Sequence, residues 1–336
     1  MTFAGHEGER SGTSFGMTAN RWPRASACVA MLLCTLLQPR PVAGFGAANE
    51  LDHDLAFGTG TSTHRDFMSD ASSSHHAAMR VLREEHKDSI IDSSSWIVIT
   101  SVNPPTRQMQ QLCATEGWNK VVVGDLKTPA GWHAAGCVYL SVEHQAALQF
   151  NVHDFIPFNR YERKMLGYLF AVAMGAQSIL DTDDDNIPAA PRPLTFPDSN
   201  VCVTMLRNTS IAWNSYAHFG TPHLYNRGLP LQHTQTPLEY AGSRTVRPLI
   251  QQGVVHCDPD LDAIQRLTLP TRTTRDVRFS EASQLLGFPP GSYTPVNSQN
   301  TVLLRDAFWS LPLPVTTLWR EDDIFRSYWT QRLLWE

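Results

Sequence analysis

The chain has 336 residues, a formal net charge of −5 and a pI near 6.2. That near-balance excludes the basic excess of a nucleic-acid binder or a polybasic membrane-surface protein, so no nucleic-acid partner is expected. The length suffices to bury one large core or two ordinary ones.

Arg21 and Arg24 precede an apolar run from Ala25 to Leu37, followed by Gln38-Pro39-Arg40-Pro41 and the small residues Val42-Ala43-Gly44. The run falls short of the ~20 apolar residues of a transmembrane helix and matches the apolar part of a secretory signal. Residues 1–44 therefore read as a signal peptide or short signal anchor leading into the secretory pathway. A disordered N-terminus with a chance apolar patch and an organelle transit segment are the alternatives. Residues 45–95 are rich in Ser, Thr, Gly, His and Asp and read as a disordered stem, with short-helix character from Ala77 to Lys87. His75-His76 reads as a solvated pair before it reads as a metal site. Cys28 and Cys34 lie in the apolar run, and Cys113, Cys137, Cys202 and Cys257 lack any Cys-x-x-Cys spacing, which argues against zinc. Lumenal disulfides and four free thiols fit these four equally. Asn208-Thr209-Ser210 is a glycosylation acceptor sequence, a weak signal.

From residue 96 the pattern becomes that of a folded domain. Trp96-Ile97-Val98-Ile99-Thr100 is one strand's length of β-rich apolar sequence, stopped by Asn103-Pro104-Pro105. Pro105 opens a helix to about Glu116. Lys120 to Asp125 is a second strand, Val138 to Leu140 a third, and Val142 to Phe150 a helix. Tyr161 to Gly175 is a longer helix with Met165, Leu166, Leu169, Phe170 and Ala173 at core-facing spacing and Gly175 as its stop. Apolar strands alternating with helices predict an α/β fold with a mostly parallel sheet flanked by helices. Ligands bind such sheets at the carboxyl ends of their strands. Beyond Asn186 a proline-rich loop through Pro197 and a strand from Asn200 to Leu206 precede a stretch without period from Trp213 to Leu231.

The next strand, beginning at Ser178, empties into Asp181-Thr182-Asp183-Asp184-Asp185-Asn186. Carboxylates this close repel by ~1 kcal/mol per pair in water and ~4 kcal/mol in a partly buried cleft, so a cation is called for. An EF-hand reading fails, since Asn186 stands at the sixth position and Arg192 at the twelfth. A phosphoryl-transfer aspartate lacks companion motifs. The Asp-x-Asp of a nucleotide-sugar glycosyltransferase, holding Mn²⁺ or Mg²⁺ against a diphosphate, fits a buried strand ending in carboxylates. A solvated acidic turn is the plain alternative.

These motifs together resemble the STELLO family of glycosyltransferases. The resemblance rests on Trp96–Thr100, Val122–Pro129, Arg163–Leu169, the aspartate run, Ala217–Gly220, Arg227–Leu231, Gln251–Gly253, Asp258–Ile264, Asn297–Thr301 and Ile324–Trp329, and spans residues 96–336. The helix and aspartate triplet are more distantly similar to reversibly glycosylated polypeptides, which act on UDP-arabinose. The resemblance implies a GT-A-like domain in the Golgi lumen, type II in the membrane or secreted. In plants the family is associated with assembly of the cellulose-synthesising machinery. The chain departs from the family at His256-Cys257, where Asn-Gly is expected, and at Asn226, where Pro is expected. It ends at Trp335-Glu336 inside an apolar-faced helix, so the domain is expected to be truncated at its C-terminus.

On the glycosyltransferase reading Asp183 and Asp185 hold the metal, Asp181 ends the strand, and Asp184, pointing the other way, meets the sugar. Asp125 and Lys127 are placed to meet nucleotide and phosphates, and Arg163 or Lys164 to answer the aspartates or the diphosphate. A turn residue and surface charges are the plainer roles. Asp258, Asp260 and Asp262 offer a catalytic base toward the acceptor, against a helix-capping role involving Arg266. The expected function is transfer of a sugar from a UDP-sugar to a glycan or protein acceptor. A non-catalytic scaffold assisting a polysaccharide synthase complex is the rival, and mutase-like rearrangement of the nucleotide sugar a third reading. Membrane association would run through the N-terminal segment.

Overall fold

The structure, a computed structural model, describes residues 2–4, 63–187 and 200–335. The apolar signal segment, the first part of the stem and the proline loop after Asn186 lie outside them. Ten strands form one mixed sheet: β1 (Thr2–Ala4), β2 (Ser95–Thr100), β3 (Asn119–Val123), β4 (Val138–Leu140), β5 (Ser178–Thr182), β6 (Val201–Leu206), β7 (Tyr240–Val246), β8 (Pro248–Gln252), β9 (Leu286–Phe288) and β10 (Asn300–Leu304). Their order across the sheet is β4-β3-β2-β5-β10-β8-β1-β9-β6-β7.

The half from β4 to β5 is parallel, as the alternation with helices predicts. Helices α2 (Arg107–Cys113), α3 (Val142–Ala147) and α4 (Lys164–Ala173) lie between these strands in the chain. Strand residues alternate between two cores: Trp96, Val98, Val121, Val123 and Ile179 pack into one, and Ile97, Ile99, Val122 and Leu180 into the other. Helix α4 is buried around most of its surface; only near its end does Ala173 emerge. A Cβ on Gly167 would come within 2.7 Å of both Val98 and Val123, so this glycine sets how closely α4 approaches the sheet. Gly175, at φ +88, ends the helical run in the left-handed conformation.

Beyond β5 the sheet turns antiparallel, through β10 and β8, and then mixed. Helices α5 (Ser215–His218), α6 (Ala263–Thr268), α7 (Thr271–Arg275) and α8 (Asp322–Leu334) complete this half.

The expected stem needs correction where it is described. Helix α1 (Thr63–Glu85) occupies part of it, with Leu82 buried in the main core and Ala78, Met79 and Ile90 against it. Apolar residues at 78, 79 and 82 share one helical face, which is enough to dock an otherwise polar helix. Asn119 then holds the segment after α1, accepting from Ile91 N at 2.8 Å and donating to the carbonyls of Ile91 and Ser93.

Among the described residues no helix is long and apolar enough to cross a membrane. Cys113, the last residue of α2, and Cys137, before β4, form a buried disulfide, while Cys202 and Cys257 are free and exposed.

Candidate functional site

The site lies where β2, β3 and β5 end, and it is built around Asp181. Strand β5 runs between β2 and β10, so this aspartate is fully buried in mid-sheet. A buried carboxylate costs several kcal/mol unless compensated. Two cations compensate it. Lys164, first residue of α4, places Nζ 2.6 Å from Oδ1, an ion pair at an angle outside hydrogen-bond geometry, and Arg326 of α8 donates to Oδ2 at 3.0 Å. Burial alone would raise the Asp181 pKa; Lys164 and Arg326 outweigh it and hold the carboxyl below its usual value. Lys164 also donates to the Thr182 carbonyl at 2.6 Å and Tyr161 Oη at 2.7 Å. Arg326 also donates to Ser298 Oγ and the Leu311 carbonyl.

Past the strand, the next three aspartates diverge. Asp183 accepts from Tyr161 Oη at 3.0 Å and stands 3.7 Å from Lys164 Nζ, with 36% of its side chain open to solvent. Enclosure by the walls around it pushes its pKa up to about 7; Lys164 pulls the other way, and Asp181 and Asp185 add to the rise. Asp185 is exposed and also raised, first by partial burial and then by Asp184, with Asp258 contributing. Asp184 turns toward the loop after β2, accepting from Ser101 Oγ at 2.5 Å and Asn103 Nδ2 at 3.2 Å. The Gln299 carbonyl pins the base of the loop by accepting from Thr182 Oγ1 and Asn186 Nδ2.

Asp183 and Asp185 are thus acidic groups whose mutual repulsion is left partly uncompensated. Their oxygen donors fit Mn²⁺ or Mg²⁺, whose remaining positions water and phosphate oxygens would fill.

Asp125 and Arg163 lie on the β3–β4 side. Both Asp125 oxygens accept backbone N–H groups at 2.7 Å, from Leu126 and Asn159, so the carboxylate binds two loops together. Arg163 is fully buried beneath the ends of β3 and β4. It donates to Gln145 Oε1 and to the Ile156 and His153 carbonyls, and lies over the Phe158 ring at 4.3 Å. Gln145 continues the chain of bonds to the Gly124 and Leu140 carbonyls. Burial pulls the Arg163 pKa down and Asp125 draws it back up. Lys127 is exposed on the same loop as Asp125.

The second acidic group approaches from the antiparallel half. Asp262 caps α6 by accepting from Ile264 N at 2.8 Å, and Asp258 pairs with Arg266 at 2.7 Å. Asp260 is held by both Arg227 Nε and Nη2, at 2.8 and 2.7 Å, and by Asn297 Nδ2 at 2.9 Å. Arg227 in turn grips Asp323 of α8 at 3.0 and 2.9 Å. Burial opposes the Arg227 charge, and Asp323 with Asp260 outweighs it, keeping the guanidinium protonated. Gln299 Nε2 donates to the Asp258 carbonyl at 3.2 Å, linking this group to the aspartate loop.

Sequence reasoning passed over Tyr161, Arg227, Gln299, Asp323 and Arg326. The signal available was chemical: Arg326 interrupts the helical run from Ile324, and an arginine there must find a buried partner. Arg227 and Arg326 both fall inside motifs that carry the family resemblance.

Fold and site together define an α/β protein with a cluster of carboxylates at the carboxyl ends of its parallel strands. No family model matches the chain. Two proteins of Arabidopsis thaliana, named "Probable glycosyltransferase STELLO2" and "Probable glycosyltransferase STELLO1", are each 34% identical to it over 269 residues, covering 73% of this chain and 34% of their own. Over that matched part the chain belongs to the STELLO family. It spans about a third of the length of these curated relatives.

Proposed function

We propose that this protein is a metal-dependent glycosyltransferase of GT-A-like fold, moving a sugar from a UDP-sugar to a glycan or protein acceptor. The observation that carries the reading is the division of labour at the end of β5. Asp181 is neutralised by Lys164 and Arg326, while the repulsion between Asp183 and Asp185 is only partly compensated. A Mn²⁺ or Mg²⁺ ion held by those two carboxylates would supply Lewis-acid neutralisation of the departing diphosphate. Tyr161 and Lys164 orient Asp183 through the contacts already described. Ser101 and Asn103 fix Asp184 at the rim, where it would meet the donor sugar. Asp125 shapes the β3 loop that would meet the nucleotide, with Lys127 beside it toward the phosphates.

The second acidic group favours a second reading. Asp260 and Asp262 are engaged in an arginine clamp and a helix cap, and Asp258 is paired with Arg266. A free base for an acceptor hydroxyl would have to be Asp258 released from Arg266. A non-catalytic member keeping the donor site and scaffolding a polysaccharide synthase complex needs no such release.

Two features bear on a Golgi or secretory location. The Cys113–Cys137 disulfide supports an oxidising compartment. Strand β1, residues 2–4, pairs with β8 and β9, whereas a cleaved or membrane-held signal segment would leave it out of the sheet. Mass spectrometry of the mature N-terminus separates the two.

The test of function is thermal unfolding of the full chain with a panel of nucleotides and nucleotide sugars, with and without Mn²⁺. A metal-dependent rise for one UDP-sugar, lost in Asp183→Asn with Asp185→Asn, is expected. Ligand at 100 times its dissociation constant adds about 2.7 kcal/mol. No rise from folded protein overturns the donor site. A rise without any turnover across acceptors moves the assignment to the scaffold.

A further inference from the structure

A different group of ligating side chains lies on the outer side of the fold. Glu85 ends α1, His86 follows it, and His144 lies on α3; one ligand atom from each stands within 4.8 Å of the others. We infer that Glu85, His86 and His144 form a binding site for a zinc-class divalent ion that clips α1 to α3.

The strongest indication is a tautomer. His144 Nδ1 lies 3.2 Å from the Tyr139 carbonyl, and only an Nδ1–H can donate there. In the neutral ring that leaves Nε2 as an acceptor, and Nε2 faces Glu85 Oε2 at 3.5 Å. Two acceptors at that distance are satisfied by a cation between them, either a metal ion or a proton on Nε2. Around a tetrahedral zinc ion with bonds of ~2.0–2.2 Å, ligand atoms sit roughly 3.3–3.6 Å apart, so this pair is already spaced for one. The Tyr139 carbonyl then serves as the outer partner that fixes a metal-bound histidine.

His86 completes the set. Its Nε2 is buried without a hydrogen-bond partner. Neutral imidazole is the ligating form. The cluster sits at the C-terminal end of a 23-residue helix, where the macrodipole favours positive charge.

Two imidazoles and one carboxylate with an open position suit zinc better than Mn²⁺ or Mg²⁺, which prefer all-oxygen sites such as Asp183 and Asp185. The site is separate from the proposed donor site and does not depend on it. Its consequence is structural: α1 is already held to the α3 segment by apolar contacts and by His75, whose Nδ1 lies 2.7 Å from the Leu148 carbonyl, and an ion would tie down its C-terminal end as well.

The probe is Co²⁺, titrated into the metal-stripped full chain and followed by visible absorption, then displaced with Zn²⁺. One equivalent giving the intense spectrum of a four- or five-coordinate ion is expected, unchanged in Asp183→Asn with Asp185→Asn. His86→Ala and His144→Ala are each expected to lose affinity by more than the ~10–100-fold that an outer-shell change costs. Glu85→Gln, at an exposed position, serves as the variant whose folding is not at risk and is expected to weaken binding by at least ~10-fold. A faint six-coordinate spectrum from folded wild-type protein overturns the inference. So does an intense spectrum that survives both Glu85→Gln and a folded histidine variant.

Discussion

Replacing Arg326 by methionine is expected to destabilise the folded chain by about 3–5 kcal/mol at pH 7, the usual cost of removing one partner from a buried ion pair. The magnitude follows from the contacts. Asp181 is fully buried and the Arg326 side chain 5% exposed, with Nη2 at 3.0 Å from Oδ2. At an effective dielectric constant of about 20, unit charges at that distance attract by roughly 5 kcal/mol. The variant also leaves Ser298 Oγ and the Leu311 carbonyl without this donor. Lys164 remains on Oδ1, which places the expected cost toward the lower end. Arg247→Met is the control: its pair with Asp306 has side chains 44% and 58% exposed, so about 0–1 kcal/mol is expected. Asp181 has a depressed folded-state pKa, so its contribution is complete above the unfolded value of about 3.9 and is lost as pH falls through the folded value. The gap between wild type and Arg326→Met should therefore be full at pH 7 and narrow below about pH 4. Urea unfolding followed by circular dichroism at pH 7 and near pH 3.5 measures both. A penalty under ~1 kcal/mol at neutral pH, or a gap that does not narrow in acid, would refute the reasoning.

Asp322 has the opposite sign. Burial, then Asp323, push its pKa up to about 7, so the folded state loses stability as pH rises from the unfolded value toward 7. Asp322→Asn should gain roughly 2–4 kcal/mol at pH 8 and almost nothing near pH 3.5, which paired urea titrations would check. Cys257 holds φ +67, where the family resemblance leads one to expect glycine. Cys257→Gly should stabilise by about 0.5–1 kcal/mol, the left-handed penalty less the chain entropy glycine adds, read as a shift in urea midpoint. The Cys113–Cys137 disulfide, with a sequence separation of 24, should contribute about 3 kcal/mol; unfolding that is insensitive to reductant would count against it.

How much was legible depended on whether burial was two-sided. Trp96–Thr100, Lys120–Val123 and Ser178–Leu180 lie in the parallel half with a core on each face, so they read as continuous apolar runs and were found within a residue or two. Tyr161–Gly175 was legible for a similar reason, although its first turn is a 3₁₀ turn ahead of α4. Strand β7 is exposed along almost its whole length, and β8 ends in the polar pair Gln251 and Gln252, so neither carries the apolar signature. Helix α1 was under-read because its described docking contacts, Ala78, Met79 and Leu82 with the His75 bond to the Leu148 carbonyl, are few and spaced among polar residues.

At the site the same distinction holds in electrostatic form. The crowding of Asp181, Asp183, Asp184 and Asp185 is visible in sequence because repulsion between neighbours is local. What neutralises Asp181 is not local: Lys164 comes from 17 positions before it and Arg326 from 145 positions after it. The cation that the cluster demands is thus supplied in part by the protein, and the repulsion between Asp183 and Asp185 is what remains only partly compensated. Helix α8 bears directly on that division, since Arg326 neutralises Asp181 while Asp323, one turn away, holds Arg227 against Asp260. A truncation that removed α8 should therefore disable the aspartate cleft without touching a single residue proposed to contact metal or sugar.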